Sequence, residues 1–311
     1  MKQLCPVSAV QLLADYQQRT QSTTVNTDRI RFIGVGDKDV YNITAPFTSA
    51  GRTVIAGRVE ARDSEHSTIV FFQPQQDLWT PVVDSPTFAL QDPFFTRIDD
   101  ELIFGGVEIN PHPDNPQQLI WHTVFFRGRD IFSLTRFTIG PPGMKDIRLC
   151  QIEPGRIGVF TRPQGDIGGR GKIGYLEISS LEALTPAAIA NADLLNGQFN
   201  DDEWGGVNET HLLTDGTIGL LAHIACFDQQ GGRHYYPGVF IFDPKTKCHT
   251  PIKIISERSQ LKPGATKRAD LSDVIFPGGL VAQSENCWRL YVGASDAEAH
   301  WIDIKEPFIW V

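Results

Sequence analysis

The sequence predicts an all-β protein, folded as a single five-bladed β-propeller with short accessory helices. Its apolar segments are short, rich in β-branched and aromatic residues, and bounded by Gly, Asp, Pro or Asn, as in TVIAGRVEA, STIVFFQ, QLIWHTVFFRG and TIGLLAHIACF. The 28 Gly and 20 Pro, against 2 Met, fit a chain with many turns. The segments fall into groups of about four, repeated every ~50 to 60 residues, and this spacing suits a propeller of about five blades.

Turn sequences between the apolar segments predict antiparallel pairing. Ile98–Glu101, Glu153–Gly155 and Thr214–Gly216 each place Asp, Pro or Gly between two apolar runs, which is the pattern of a tight hairpin. We therefore expect neighbouring strands to form antiparallel meanders.

Two segments depart from the strand pattern and predict helices. In residues 6–18, apolar side chains recur at helical spacing and form one stripe. The members of that stripe are Val7, Val10, Leu13 and Ala14. The second segment begins at the capping-box sequence Ser179–Glu182 and continues through LEALTPAAIANADLL, with Pro186 as an interruption.

The composition predicts one domain, residues 1–311, of a globular protein. The chain is 41% hydrophobic and 21% charged, and it contains neither an apolar run of membrane-spanning length nor a Ser/Gly-rich linker. Its net charge of -9 disfavours a general nucleic-acid or anionic-membrane surface, because phosphate groups would be repelled. We therefore expect neither nucleic acid nor membrane as a partner, and any anion site must be local.

The cysteines and the first residues indicate a reducing compartment. Five cysteines are scattered without a CxxC pair, which predicts neither a disulfide framework nor a zinc site. No HxH or HExxH pair occurs either, so no metal site is expected. The start, MKQLCPVSAV, lacks the long apolar core of a signal peptide. A cytoplasmic location is the resulting expectation.

Polar residues that interrupt apolar strands near glycines are the first candidates for a site, because propeller loops converge on a central channel. Asn42 lies in Asp39–Pro46, a segment equally typical of a turn with a side-chain hydrogen bond. Arg58 and Glu60 follow the strand TVIAG, and strand alternation puts them on one face with Arg62. Two interpretations fit this pattern. The side chains form ion pairs on a solvated strand face, or Arg58 and Glu60 bind a polyol.

Asp92 is the candidate general acid. It lies in the apolar sequence LQDPFF, and removal from water beside aromatic rings raises a carboxyl pKa, as a proton donor near neutral pH requires. A turn aspartate before Pro93 explains the same pattern. Glu60 and Asp63 are the competing carboxylates, and strand alternation puts these two on opposite faces.

A basic stretch from Arg127 to Lys172 is the candidate anion site. It holds nine basic and four acidic residues in a protein of net negative charge, and guanidinium groups match phosphate oxygens. For most of the nine, scattered exposed side chains are the commoner explanation. The sharpest members are Lys145, Asp146 and Arg148 after Pro-Pro-Gly, and Arg162 at a strand end.

Further candidates lie in the last third of the chain. His223 stands inside the apolar strand sequence LLAHIA, where a histidine is usually a core residue. Tyr236, Asp273 and Asp296 flank glycine-containing strand ends. The sequence contains no GxSxG, no GxGxxG after a strand and no GK[ST] phosphate loop, so serine hydrolase and nucleotide-fold chemistry are not indicated.

The motifs, taken in order, resemble those of glycoside hydrolase family 130. They are Arg58-Val59-Glu60, Gln91-Asp92-Pro93, Lys145-Asp146-Ile147-Arg148, Arg162-Pro163, Leu221-Ala222-His223, Tyr236-Pro237-Gly238, Phe276-Pro277-Gly278-Gly279 and Tyr291-Val292-Gly293-Ala294-Ser295-Asp296. That family consists of five-bladed propellers, mostly β-mannoside phosphorylases. Its usual Glu-Asp-Pro-Arg is Gln91-Asp92-Pro93-Phe94 here, so the chain resembles still more the β-1,2-mannosyltransferase/phosphorylase group, glycosyltransferase family 108.

The resemblance implies a division of roles among the candidates. It makes Asp92 the catalytic acid, acting through a hydroxyl of the departing mannose. It implies that Asn42, Arg58 and Asp296 hold the mannose ring, and we predict substrate binding also by Glu60, Lys145, Asp146 and Asp273. Around the phosphate it implies Arg148, Arg162, His223 and Tyr236.

The resemblance also implies an inverting reaction between β-1,2-manno-oligosaccharide plus inorganic phosphate and mannose 1-phosphate. Phosphate arrives as an anion and needs no general base, so one acid suffices where an inverting hydrolase needs two carboxylates. The expected co-substrate is inorganic phosphate, with no cofactor, and the expected partners are mannose-containing oligosaccharides, mannose 1-phosphate and GDP-mannose. A hydrolase of the same fold, a non-catalytic carbohydrate-binding propeller and a homo-oligomer are left open.

Overall fold

The computed structural model describes residues 5–21, 25–112 and 114–309, and it is mostly β. The all-β class predicted from the sequence is therefore confirmed. No helix within these residues is long and apolar enough to cross a membrane.

The first strands are β1 Thr27–Ile30, β2 Asp39–Tyr41, β3 Phe47–Ser49, β4 Arg52–Glu60, β5 Thr68–Gln75 and β6 Leu78–Pro81. Strands β2 to β6 form the first antiparallel sheet, and β1 belongs to the last sheet. The sheet order is β2-β4-β5-β6, and β3 pairs with β4 as well. β4 is buried on both faces over seven of its nine residues, so it lies inside the molecule.

The next two sheets are four-stranded antiparallel meanders. The second contains β7 Gln91–Ile98, β8 Glu101–His112, β9 Asn115–Gly128 and β10 Thr135–Ile139. The third contains β11 Arg148–Glu153, β12 Arg156–Thr161, β13 Gly174–Ile178 and β14 Asp193–Leu194. The predicted hairpins at Ile98–Glu101 and Glu153–Gly155 are confirmed. Asp99 and Asp100 both have positive φ, as the favoured two-residue hairpin turn requires.

The last sheet joins two antiparallel groups. Its strands are β15 Trp204–Leu212, β16 Ile218–Phe227, β17 Arg233–Asp243, β18 Cys248–His249, β19 Lys253–Ile254, β20 Asp273–Ser284, β21 Cys287–Ala294 and β22 Glu298–Lys305. β17 and β20 connect the groups through a short parallel pairing, His234 with Asp273 and Tyr235 with Val274. β1 returns to pair with β22 at the outer edge. The strands thus form five successive antiparallel groups, and the propeller arrangement of those groups stays a prediction.

The helices confirm the predicted positions and correct two details. The first helix, α1, spans Ala9–Thr20 and buries Ala9, Leu12 and Tyr16, whereas Val7, Val10 and Ala14 of the predicted stripe are exposed. A single turn, α2, spans Gly165–Gly168. The segment after Ser180 forms a 3₁₀ turn at Leu181–Ala183 and then α3, Pro186–Ala190. Pro186 begins α3 rather than interrupting a helix, because a first-turn residue needs no backbone N–H donor.

Two further 3₁₀ turns precede the last group, at Arg258–Gln260 and Ala269–Leu271. The apolar core consists of clusters between successive sheets. Val54 and Phe71 of the first sheet pack with Phe104 and Val124 of the second, and equivalent clusters join the later sheets. This packing brings strand ends from different sheets together, and those ends carry the polar residues described next.

Candidate functional site

Polar residues with left-handed backbone conformations mark the site. Asn42, Asp92, Asp146, Ser295 and Asp296 have φ of 42°, 49°, 59°, 54° and 50°, values that Asn and Asp adopt more readily than other non-glycine residues. Each lies at or beside a strand end. The left-handed backbone turns the chain at each of these five positions. Each turn at a strand end therefore carries a polar side chain.

Asp92 lies in a polar setting rather than in the purely apolar one predicted from LQDPFF. Its side chain is buried, and its Oδ1 accepts hydrogen bonds from Asn42 Nδ2 at 2.8 Å and Arg58 Nη1 at 3.2 Å. Within the described residues Oδ2 has no hydrogen-bond partner. Asp92 therefore presents one anchored oxygen and one oxygen that is available to a substrate.

Arg58 is fixed by carboxylates on two sides. Its Nη2 lies 2.7 Å from Glu60 Oε2, its Nε donates to Ser67 Oγ at 2.8 Å, and its guanidinium lies 4.9 Å from the centre of the Tyr41 ring. Burial disfavours the charge, but Asp92 and Glu60 outweigh it and raise the pKa of Arg58 above its ordinary value. The predicted common face of Arg58 and Glu60 is confirmed, whereas Arg62 is exposed and pairs with Asp39.

Glu60 is saturated by donors inside the protein. Tyr41 donates to Oε1 at 2.8 Å, Lys267 also bonds Oε1, and Oε2 accepts from Ser67 and Arg58. Burial alone would raise its pKa, but the Arg58 charge and the bonds from Lys267 and Ser67 hold it below the usual range. Glu60 is 1% exposed, so it positions Arg58 rather than offering an open carboxylate to a ligand.

We expect Glu60→Gln to destabilise the fold. The variant leaves the buried Arg58 and Lys267 short of one carboxylate, and breaking a buried ion pair costs about 3 to 5 kcal/mol. Urea unfolding measures the loss. Glu65→Gln is the matched control, because Glu65 contacts Arg58 at 3.7 Å and Lys267 at 3.0 Å but its side chain is 56% exposed. Equal stability of the two variants would contradict the structural role of Glu60.

Asp296 is the second carboxylate beside Asp92. Burial raises its pKa above the ordinary range, and Asp92 adds to the rise while Arg58 opposes it. No hydrogen bond to Asp296 is made by the described residues. We call Asn42, Arg58, Glu60, Asp92 and Asp296 the acidic half of the site.

The basic half consists of Lys145, Asp146, Arg148, Arg162 and His223. Arg148 is buried and donates to the backbone oxygens of Asn208 at 2.8 Å and Ile147 at 3.0 Å, and burial lowers its pKa to about 10. The ring of Phe94, two residues after Asp92, lies 4.1 Å from its guanidinium. Strand β7 therefore connects the two halves.

Arg162 is also held mainly by the backbone. Its Nε donates to Gly205 O at 2.8 Å, while Nη1 lies 3.4 Å from Asp146 Oδ2 without a hydrogen bond. A Cβ at Gly206 would lie 2.8 Å from Arg162 Cδ, so glycine there admits the arginine. Among the described residues, Arg148 has no carboxylate at ion-pair distance and Arg162 has one, Asp146, so the two arginines together favour a nearby anion.

His223 is neutral in this setting. Burial lowers its pKa to about 3, and the charge of Arg162 acts in the same direction. Its Nδ1 lies 2.8 Å from Asn208 Oδ1, and the Tyr235 ring stacks on it with centroids 5.6 Å apart. A neutral imidazole leaves one ring nitrogen as an acceptor.

A cavity of about 390 Å³ opens beside the basic half. Lys145 and Arg162 line one part, and Trp121, Trp204, Phe227 and Tyr235 line another. Lys145 has no ion-pair partner among the residues that the structure describes. The wall of the cavity therefore contains both the unpaired charge of Lys145 and an aromatic surface.

Tyr236, predicted to bind phosphate, and Asp273, predicted to bind substrate, contact each other rather than the residues predicted to act with them. The Tyr236 hydroxyl donates to Asp273 at 2.7 Å, and Asp273 also lies 2.6 Å from His234 Nδ1. Tyr235, not Tyr236, shares the strand face of His223. The one-residue difference reverses the face because side chains alternate along a strand.

Sequence reasoning missed Lys267, Ser67, Asn208 and Tyr235. Asn208 lies inside strand β15, and Lys267 lies in an irregular segment without any pattern. Within the described residues, no group of three His, Cys, Asp or Glu side chains is arranged to hold a metal ion.

The family profile of DUF1861, whose description is a protein of unknown function, matches residues 16–310. The chain belongs to this family. No curated protein matches the chain.

Solved structures give closer comparisons. A mannose phosphorylase from Leishmania mexicana in complex with a phosphate ion has a TM-score of 0.87 and 34% identity, covering 96% of this chain and 93% of its own. A GDP-Man-dependent mannosyltransferase from Leishmania mexicana has a TM-score of 0.84 and 30% identity, covering 94% and 93%.

A structure from the GH130 family of mannoside phosphorylases, in which glycoside hydrolases target β-1,2 mannosidic linkages in Candida mannan, has a TM-score of 0.60 and 12% identity. It covers 91% of this chain and 94% of its own, and at that identity the likeness concerns the fold alone. The predicted resemblance to glycoside hydrolase family 130 is thus confirmed for the fold.

Proposed function

We propose that the chain is an inverting β-1,2-mannoside phosphorylase/mannosyltransferase, which interconverts β-1,2-manno-oligosaccharide plus phosphate with mannose 1-phosphate. The chain is an enzyme that acts on glycosides, like its two neighbours at 34% and 30% identity. The observation that carries the finer proposal is the combination of Asp92, whose Oδ2 is open, with two buried arginines that are held mainly by backbone carbonyls.

In the proposed reaction each half has one task. Asn42, Arg58 and Asp296 hold the mannose, and Asp92 supplies the proton for the departing sugar through its free Oδ2. Arg148 and Arg162 hold phosphate on the opposite face of the sugar, where its oxygen attacks the anomeric carbon. Because the phosphate is already anionic, no general base is required.

The state of Glu60 disfavours the rival hydrolase. An inverting hydrolase uses a second carboxylate to activate water. Glu60 accepts bonds from four side chains and has no free oxygen for water. Asp296 remains as the other carboxylate near Asp92, and a reaction without phosphate would assign it that role.

The decisive experiment incubates the enzyme with mannose 1-phosphate and mannose. We expect release of inorganic phosphate and formation of a β-1,2-linked disaccharide, both reversed by excess phosphate. Free mannose from a β-1,2-mannobiose without phosphate would favour the hydrolase, and sugar binding without turnover would favour a binding protein. GDP-mannose in place of mannose 1-phosphate tests the nucleotide donor that one neighbour uses.

The architectural proposals accompany this function. We propose that the five strand groups are the blades of a single propeller domain around a central channel, with the site at one mouth. The cytoplasmic location and the lack of a cofactor stay predictions, and the oligomeric state stays open.

A further inference from the structure

Unpartnered polar atoms surround the Arg162 guanidinium. Within the described residues, both carboxylate oxygens of Asp146, Nη1 of Arg162 and Nδ2 of Asn208 are buried without a hydrogen-bond partner, although Nη1 and Asp146 Oδ2 lie at ion-pair distance, 3.4 Å apart. Asp146 is 2% exposed, and a Cβ at Gly206 would lie 3.2 Å from its Oδ2. Gly206 pairs across the sheet with His223, so these groups share one small region. Buried donors and acceptors that are unpaired together indicate a ligand carrying both.

A carboxylate is an unusual neighbour for an anion. Burial would raise the pKa of Asp146, but the charges of Arg162 and Lys145 outweigh it, so the carboxylate is ionised at neutral pH. His223 is neutral and adds no charge. An ionised carboxylate repels a bound anion unless the anion carries a hydrogen that the carboxylate can accept. Phosphate and arsenate carry such a hydrogen near pH 7, and sulfate does not.

We propose that Asp146 accepts a hydrogen bond from the hydroxyl of a protonated oxyanion, and that it makes the site select phosphate and arsenate over sulfate. The inference rests on the proposed function, which puts the anion at Arg148, Arg162 and His223. It gives Asp146 a role in anion selection, distinct from the sugar-binding role that its motif predicts. A fully deprotonated anion would leave the Asp146 oxygens facing oxygen lone pairs, and this arrangement opposes binding.

The test measures dissociation constants of phosphate, arsenate and sulfate by calorimetry at pH 7.5 and matched ionic strength. We expect the wild-type protein to bind phosphate and arsenate about 10- to 100-fold more tightly than sulfate, as for a lost hydrogen bond to a charged group. Asp146→Asn can donate as well as accept, so its preference should narrow to about threefold or less. Asp166→Asn is the matched control, because Asp166 is an exposed carboxylate on the segment after Arg162 and should keep the wild-type ratio.

The outcomes separate this inference from the proposed function. Equal affinity of the wild-type protein for sulfate and phosphate overturns it, even if Asp146→Asn does not fold. A variant that raises the mannoside KM and keeps the wild-type anion ratio overturns it as well, because Asp146 would then serve the sugar. A phosphate preference that narrows in Asp146→Asn, in a protein without phosphate-dependent cleavage, supports the role of Asp146 and contradicts the proposed function.

Discussion

Asp92→Asn is expected to lower turnover by about 10²- to 10⁴-fold, the usual contribution of a general acid. The asparagine keeps the size of the side chain and an oxygen for Asn42 and Arg58, but it has no proton to give. Sugar binding should survive, because the groups that hold the ring are unchanged. Steady-state kinetics of phosphorolysis, with affinity for the mannoside measured separately, checks both parts.

Asp63→Asn is the matched control for this variant. Asp63 is an exposed carboxylate in the turn after β4, and we expect its replacement to leave turnover near the wild-type value. If Asp92→Asn folds cooperatively and retains wild-type turnover, Asp92 is not the acid. In that case Asp296, with its raised pKa, becomes the leading candidate.

Arg162→Ala is expected to raise the phosphate KM by roughly 30- to 1000-fold, because a charged hydrogen bond in a desolvated site contributes about 2 to 4 kcal/mol. The mannoside KM should change little, since Arg162 belongs to the basic half and the sugar to the acidic half. Varying each substrate at saturation of the other separates the two effects.

Two further variants serve as controls for the role of Arg162 in phosphate binding. Arg129→Ala removes a 91% exposed arginine from the same basic stretch, and its phosphate KM should stay unchanged. Arg162→Lys keeps a positive charge and should fall between wild type and Arg162→Ala. An unchanged phosphate KM in Arg162→Ala would place the anion elsewhere.

The strand content and several site positions were predictable because they have local causes. Asparagine and aspartate tolerate positive φ, so Asn42, Asp92 and Asp296 each indicate both a turn at a strand end and a polar side chain there. Hairpin sequences such as Ile98–Glu101 likewise determine their own pairing. These features depend on a few neighbouring residues, which a single sequence displays.

The remaining features depend on contacts between distant segments. Lys267 reaches Glu60 across 207 residues, from a segment without periodicity. The choice between Tyr235 and Tyr236 depends on which face of their strand meets His223. Alternation puts the two tyrosines on opposite faces but does not show which face that is. The backbone carbonyls that hold Arg148 and Arg162 are invisible in a sequence, because every residue has one. The basic stretch therefore predicted an anion site and singled out Arg148 and Arg162, but it did not show that backbone carbonyls hold them.

The return of β1 to the edge of β22 has a consequence for how the chain folds. Thr27 to Ile30 pair with Ala299 to Ile302, so the last sheet gains its outer strand only when nearly the whole chain has been synthesised. Contacts of such long sequence separation require a large loop-closure entropy, which slows their formation. Until β1 docks, the eight-residue strand β22 is an open edge that another chain can pair with. Shortening the chain at its start would leave that edge open permanently and favour aggregation of an otherwise folded molecule.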